Sequence, residues 1–297
     1  MSRVLVVGSV NMDLVVATET FPRPGETLLG TAFALHPGGK GANQAVAAAR
    51  LGASVCFIGR VAADSFGQQL LRGLEAEGID LHWLSRTAGA TTGVATITVV
   101  GGENAIIVVP GANALLTPGD LDAAESVFAE ADVVLAQLEV PLATVEHAAL
   151  LAARHSKPFI LNPAPAQRLP QSLVERCALL TPNEHELGVA LAQPQAPWQD
   201  VLVGAPTRIA LTKGAEGAYF NDAAGALHHQ PSFPVRMVDT TGAGDTFNGA
   251  VAAFWELGLP EAIRRGCASG ALSVGKAGAQ GGMPTLAELE AFLAERR

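Results

Sequence analysis

Cysteine is scarce in this chain of 297 residues: Cys56, Cys177 and Cys267 stand far apart. An odd, widely spaced set offers neither a disulfide framework nor a zinc site and fits reduced thiols in a core. Charge is scarce as well, at 16% Asp, Glu, Lys and Arg, and no Lys/Arg cluster relieves a net charge of -9. That balance repels a phosphate polymer or an anionic bilayer, so no nucleic acid and no membrane are expected as partners. No run of about 18 apolar residues is present to span a bilayer. The chain enters a strand-like Val4-Leu5-Val6-Val7-Gly8 without the basic and apolar regions of a secretory signal, which makes a cytoplasmic location the expectation. Two familiar phosphate motifs are also missing. There is no G-x-x-x-x-G-K-S/T, and no G-x-G-x-x-G follows the first strand, which excludes the P-loop and dinucleotide fingerprints. The histidines show no metal-ligand spacing, and His228-His229 read as a surface turn.

What is present is a chain that is 49% hydrophobic, rich in Ala and Gly, and long enough for one large core. Helical spacing in Ala42 to Leu51, a strand at Ser54 to Ile58 and a helix from Ser65 to Glu77 give βαβ grammar. From Leu121 onward helix and strand alternate, with strands at Val133 to Ala136, Phe159 to Asn162 and Ala178 to Thr181, a hairpin near Ile209 to Phe220 and three closing helices. The expectation is a single α/β domain over residues 1–297, a central mainly parallel sheet flanked by helices. A small β-sheet is inserted from about residues 11–36 and 91–110, the second of these a hairpin around Gly101-Gly102, and it is placed to serve as a lid.

The sharpest segment is Val238-Asp239-Thr240-Thr241-Gly242-Ala243-Gly244-Asp245-Thr246-Phe247, which sets small residues and an acid at the start of a helix. Glycines let a phosphate approach backbone N–H groups, and a helix N-terminus favours negative charge, so the run suits an anion hole. By itself it suits a turn with a capping carboxylate equally. Asn11 and Asp13 fit turns or a polyol site, and Glu139 fits a helix start or a ligand at the carboxyl end of a strand. Asn183 and Glu186 fit a helix cap or a pair facing a cleft.

Taken with Gly38-Gly39-Lys40-Gly41-Ala42-Asn43-Gln44-Ala45, the Gly242-Ala243-Gly244-Asp245 run resembles the two signatures of the ribokinase-like carbohydrate kinases. The resemblance extends along essentially the whole chain, through Asn11-Met12-Asp13, Pro24-Gly25-Glu26-Thr27, Gly111-Ala112-Asn113, Gln137-Leu138-Glu139, Leu161-Asn162-Pro163-Ala164-Pro165 and Thr181-Pro182-Asn183-Glu184. It implies a Rossmann-like fold and sugar contacts from Asn11, Asp13, Gly39, Lys40, Gly41, Asn43 and Glu139. It makes Asp245 the base for the sugar hydroxyl and the amides of Gly242, Ala243 and Gly244 the anion hole. It assigns ATP to Asn183, Thr212, Gly214, Gly217, Gly244 and Cys267, and Mg2+ to Glu186, through water as suits a hard cation.

The resemblance also implies a K+ site, largely of carbonyls, from Asp239, Thr241, Ser273, Lys276, Gly278 and Gly282. Gly281-Gly282 departs there from the family's serine, Cys267 stands where some relatives place His or Asn, and Gly188 to Arg208 is short. The implied reaction is phosphorylation of D-ribose to D-ribose 5-phosphate. Deoxyribose, fructose or a nucleoside such as adenosine stand as alternative acceptors, and a non-catalytic sugar-binding protein is the alternative from another class. An exposed lid edge implies a homodimer that buries it.

Overall fold

The computed structural model describes residues 2–222 and 224–296. Thirteen strands occur, β1 (Arg3–Val7), β2 (Asn11–Ala17), β3 (Ala32–Gly38), β4 (Ser54–Ala62), β5 (Leu84–Thr87), β6 (Gly93–Val100), β7 (Glu103–Val109), β8 (Val133–Ala136), β9 (Phe159–Leu161), β10 (Leu179–Leu180), β11 (Ala210–Thr212), β12 (Ala218–Asn221) and β13 (Leu227–Gln230). Six of them form a parallel sheet in the order β10-β9-β8-β1-β4-β5. Its inner strands β1, β8 and β9 are mainly apolar on both sides, whereas the edge strand β5 carries exposed Ser85 and Arg86. In β1, Val4 and Val6 join one core cluster while Leu5 and Val7 join the other, as a sheet covered on both faces by helices requires.

The order of strands locates a site before any side chain is considered. The chain leaves β1 for β4 on one side and later returns to β8 on the other, so the winding reverses between β1 and β8. Ligands of open α/β sheets bind outside the carboxyl ends of the strands at such a switch point. Here those ends carry Ser9 and Asn11 after β1, Gln137 and Glu139 after β8, and Asn162 after β9.

A second sheet, β3-β2-β6-β7, comes from the two segments expected to form the lid. The pairs β2-β3 and β6-β7 are antiparallel, whereas β2 and β6 run parallel, so two separate hairpin-like units meet along β2 and β6. A third sheet, β11-β12-β13, was not foreseen as such: the expected hairpin has a further strand. It is tied to the main sheet by parallel bridges from Leu180 to Ile209 and from Asn183 to Thr212. The added strand corrects the reading of His228 and His229, which lie exposed on β13, stacked on Phe220 and Tyr219. The turn falls earlier, where the Asp222 carboxylate accepts from the amides of Ala224 and Ala226, the local chemistry that Asp provides in turns.

Two helices place the residues of the switch point. Lys40–Arg50 is nearly all small residues and is buried from Gly41 to Ala48. Ala243–Ala253 packs against it so closely that a Cβ on Gly249 would stand 2.5 Å from the Gln44 carbonyl oxygen. Without a side chain at that crossing, the N-terminal turns of both helices meet and bring Asn43 and Gln44 against Asp245. Among the described residues no helix is long and apolar enough to cross a membrane.

Candidate active site

Asp245 lies in the first turn of the helix Ala243–Ala253 and is 8% exposed. A buried carboxylate needs donors, and it has two: Asn43 Nδ2 donates to Oδ2 at 3.0 Å and Gln44 Nε2 donates to Oδ1 at 3.0 Å. The turn before it depends on Gly242, whose φ of 77° is left-handed and whose missing Cβ would lie 2.9 Å from Ala279 Cα. This turn leaves the amides of Gly242, Gly244 and Asp245 without a partner among the described residues. The Ala243 amide differs from the expectation, because it donates to the Thr240 carbonyl at 3.2 Å and closes the turn instead of facing a ligand.

On one side of Asp245 lies a polar recess between the main sheet and the second sheet. Glu139 Oε2 accepts from Ser9 Oγ at 2.5 Å and from the Lys40 amide at 2.9 Å, so the carboxylate also tethers the helix start that Gly39 caps with a φ of 88°. Asn11 accepts from Asn113 Nδ2 at 2.7 Å, and Asn113 also bonds the amide and carbonyl of Val10, which fixes the point where β2 leaves the main sheet. Asp13 is on β2 opposite His36. Burial, then the charges of Glu139 and Asp245, push its carboxyl up to about 7. Burial works against the Lys40 ammonium, but Asp245, Glu139 and Glu186 together outweigh it and hold the group above its ordinary value. Lys40 thus feels the charge of three carboxylates. Gly41 is packed against Ser9, inside the same wall.

On the other side opens a cavity of about 500 Å³, lined among others by Thr212, Gly214, Gly217, Gly244 and Cys267, all of which were candidates for a nucleotide. Its walls are largely apolar, with Phe233, Val235 and Met237 from the segment after β13 facing Phe247 and Val274. Such a slot accepts a planar heterocycle, and its mouth reaches the Gly244 turn. Cys267 is buried, and burial pushes its thiol up to about 12, so it serves as wall and not as nucleophile. Lys213 turns away, paired with Glu184 and Glu216 and lying over the Trp198 ring.

Asn183 and Glu186 form a reciprocal cap. Asn183 Oδ1 accepts from the Glu186 amide at 2.9 Å and Glu186 Oε2 accepts from the Asn183 amide at 2.8 Å. Burial, ahead of the opposing Asn183 amide and Lys40, raises the Glu186 carboxyl, and the bridge from Asn183 to Thr212 ties this cap to the cavity wall.

The residues considered for a monovalent cation lie on two neighbouring stretches, Asp239 with Thr241 and Ser273 to Gly282, joined by the Asp239 carboxylate. Burial opposes ionisation of Asp239, but amides of Gly278 and Thr241 at 2.8 and 2.9 Å hold its carboxyl below the usual range. The Ser273 carbonyl packs directly on Gly282, where a serine side chain has no room. The Lys276 side chain instead leaves the loop for Glu288, 3.1 Å away. Among the described residues no three His, Cys, Asp or Glu side chains gather as a metal cluster, so this place offers one carboxylate and carbonyls.

Of the buried amides that support these groups, Asn43 was named from the sequence, as a sugar contact, and Gln44, Gln137, Asn113 and Asn162 were not. Those four all fall inside motifs quoted for the resemblance, and that was their only signal.

A sequence profile of the pfkB family carbohydrate kinases matches residues 1–286. A ribokinase of Bacillus subtilis is 43% identical over 297 residues, covering 99% of this chain and all of the relative. A ribokinase structure from Thermotoga maritima superposes with a TM-score of 0.91 at 33% identity, covering 99% of this chain and 100% of that one. The structure of Arabidopsis thaliana ribokinase complexed with ribose and ATP superposes with a TM-score of 0.90 at 28% identity, covering 99% of both chains.

Proposed function

The chain belongs to the pfkB family of carbohydrate kinases, and from that membership we infer that it transfers the γ-phosphoryl group of ATP to D-ribose, giving D-ribose 5-phosphate. The observation that carries this reading is the place of Asp245. Its buried carboxylate stands between a recess of Asn11, Asp13, Lys40 and Glu139 and a set of unpaired helix-start amides opening on a 500 Å³ slot. A polyol supplies donors and acceptors together and suits the first, and a nucleoside triphosphate suits the second.

In that arrangement Asp245 takes the proton of the primary hydroxyl as the oxygen attacks phosphorus in line. The amides of Gly242, Gly244 and Asp245 receive the charge that develops on the transferring group, while that of Ala243 keeps the turn closed. Lys40 joins the two halves, since its ammonium is stabilised by the charges of Asp245, Glu139 and Glu186. Asn183 fits the nucleotide phosphates and Glu186 a hydrated magnesium ion, which would supply charge neutralisation on the phosphates when bound. Asp239 with the carbonyls of Ser273 and its neighbours fits potassium, a cation held mainly by carbonyl dipoles. The second sheet acts as a lid that excludes water, the competing acceptor. Its edge strand β7, exposed at every position, supports a homodimer.

The test is ATP-dependent phosphorylation of ribose, deoxyribose, fructose, ribitol and adenosine, with magnesium, in potassium and in sodium. The highest kcat/KM belongs to ribose, and potassium raises it. A higher value for another acceptor keeps the kinase and removes ribose, whereas sugar binding without turnover supports a non-catalytic binding protein. Asp245→Asn lowers kcat by about 10² to 10⁴ with sugar affinity kept. Near-normal turnover in that variant removes Asp245 as the base.

A further inference from the structure

Behind Asp245, on the side away from the recess, the three strand ends and two helices enclose a chain of uncharged polar side chains. Gln44 is fully buried, and its amide is used at every atom: Nε2 donates to Asp245 Oδ1 at 3.0 Å and to Asn162 Oδ1 at 3.2 Å, while Oε1 accepts from Gln137 Nε2 at 2.6 Å. Gln137 is also fully buried, and its Oε1 has no partner among the described residues. Asn162 is in turn held by donating to the Thr181 carbonyl at 2.9 Å.

The pattern has a direction. A carboxylate accepts only, so the Gln44 amide serves Asp245 solely when its nitrogen faces the acid. Free to turn, a buried glutamine amide has two nearly isosteric settings, and the wrong one would aim Oε1 at Asp245. Gln137 decides between them, because its donor occupies the place where Gln44 Oε1 must lie. An orphaned buried acceptor is unfavourable, and among the described residues Gln137 leaves its own Oε1 without a partner while presenting its nitrogen to Gln44.

We propose that Gln44, with its amide set by Gln137, is a positioning residue for the phosphoryl transfer, fixing the Asp245 carboxylate so that its remaining lone pairs meet the acceptor hydroxyl. This rests on the kinase reading given above. Both glutamines are fully buried, and neither lines the 500 Å³ slot. Asn43 holds the other oxygen but is one of the residues proposed for the sugar, so Gln44 is the residue whose loss disorders the base without removing a proposed substrate contact. A misplaced general base costs rate far more than binding.

The experiment measures kcat, sugar KM, sugar affinity and unfolding for the wild type, Asp245→Asn, Gln44→Met, Gln137→Met and the double variant. Methionine keeps length and volume and removes the amide. Gln44→Met lowers kcat by about 10- to 100-fold with sugar affinity within about twofold. Gln137→Met lowers kcat less. The double variant is no slower than Gln44→Met, because Gln137 acts only through Gln44, whereas independent structural losses would multiply.

A folded Gln44→Met with unchanged kcat, a matched loss of affinity, or multiplicative effects in the double variant overturns the proposal. Should Gln44→Met not fold, Gln137→Met decides alone, and unchanged kcat in it overturns the proposal. The wild type and Asp245→Asn separate the two readings: a wild type without turnover removes the kinase reading and this inference together, whereas an active wild type with an Asp245→Asn that keeps turnover leaves the kinase and removes Asp245 as the base, and this inference with it. A normal pair beside an unaffected Gln44→Met removes this inference only.

Discussion

Asp13 shows what the proposed sugar site demands of one carboxyl. Burial and the like charges of Glu139 and Asp245 raise it from 3.8 to about 7, so the folded, sugar-free protein keeps a proton that the unfolded chain releases. That contribution to stability is complete below 3.8 and is lost as pH rises through about 7. Asp13→Asn, neutral at every pH, therefore gains on the wild type between pH 5 and pH 8 by on the order of 2 kcal/mol. Urea unfolding at the two pH values measures this, and a constant difference would show that ionisation of Asp13 carries no strain. The type of residue at this position was visible in the sequence as Asn11-Met12-Asp13, but its perturbation was not. It arises from Glu139 and Asp245, which are 126 and 232 positions away in the numbering.

At the scale of elements, the start of the helix Ala243–Ala253 is the working part. Gly242→Ala forces a Cβ into a left-handed φ of 77° and against Ala279 at 2.9 Å, which ties the turn to the loop proposed for the cation. The substitution costs about 1 to 3 kcal/mol of stability. It also lowers kcat, because the unpaired amides no longer converge. Urea titration beside steady-state kinetics checks both, and a variant with full stability and full kcat would remove the turn from the mechanism.

The small-residue run was legible as a helix start, since glycines and an acid at that spacing have few other uses. That Ala243 spends its amide on Thr240 was not legible. Turn closure depends on backbone angles that alanine does not announce. Asn183 and Glu186 show the reverse case, where the spacing of a capping box was readable and the cap is formed as written.

Across the whole molecule, the second sheet ends in β7, whose residues are exposed on both faces. Ile106 and Val108 share the face of Asp13, since Asp13 pairs with Ala95 and Ala95 with Val108, while Ile107, 69% exposed, points the other way. An apolar edge of this kind invites pairing with a second copy. Sedimentation at micromolar concentration should give a dimer that Ile106→Asp converts to monomer, with kcat/KM for the sugar falling as the lid loses its support. A wild-type monomer would remove the dimer.

The sequence by itself determined the alternation of helix and strand, the two signatures and the order of the motifs, because periodicity and glycine placement are local. Only the tertiary structure decided what Asp245 touches, which amides at its helix start lack a partner among the described residues, and that Gln44 and Gln137 stand behind its carboxylate. Those are contacts between residues up to 202 apart, and they exist only because Gly249 lets two helices meet and the sheet reverses its winding between β1 and β8.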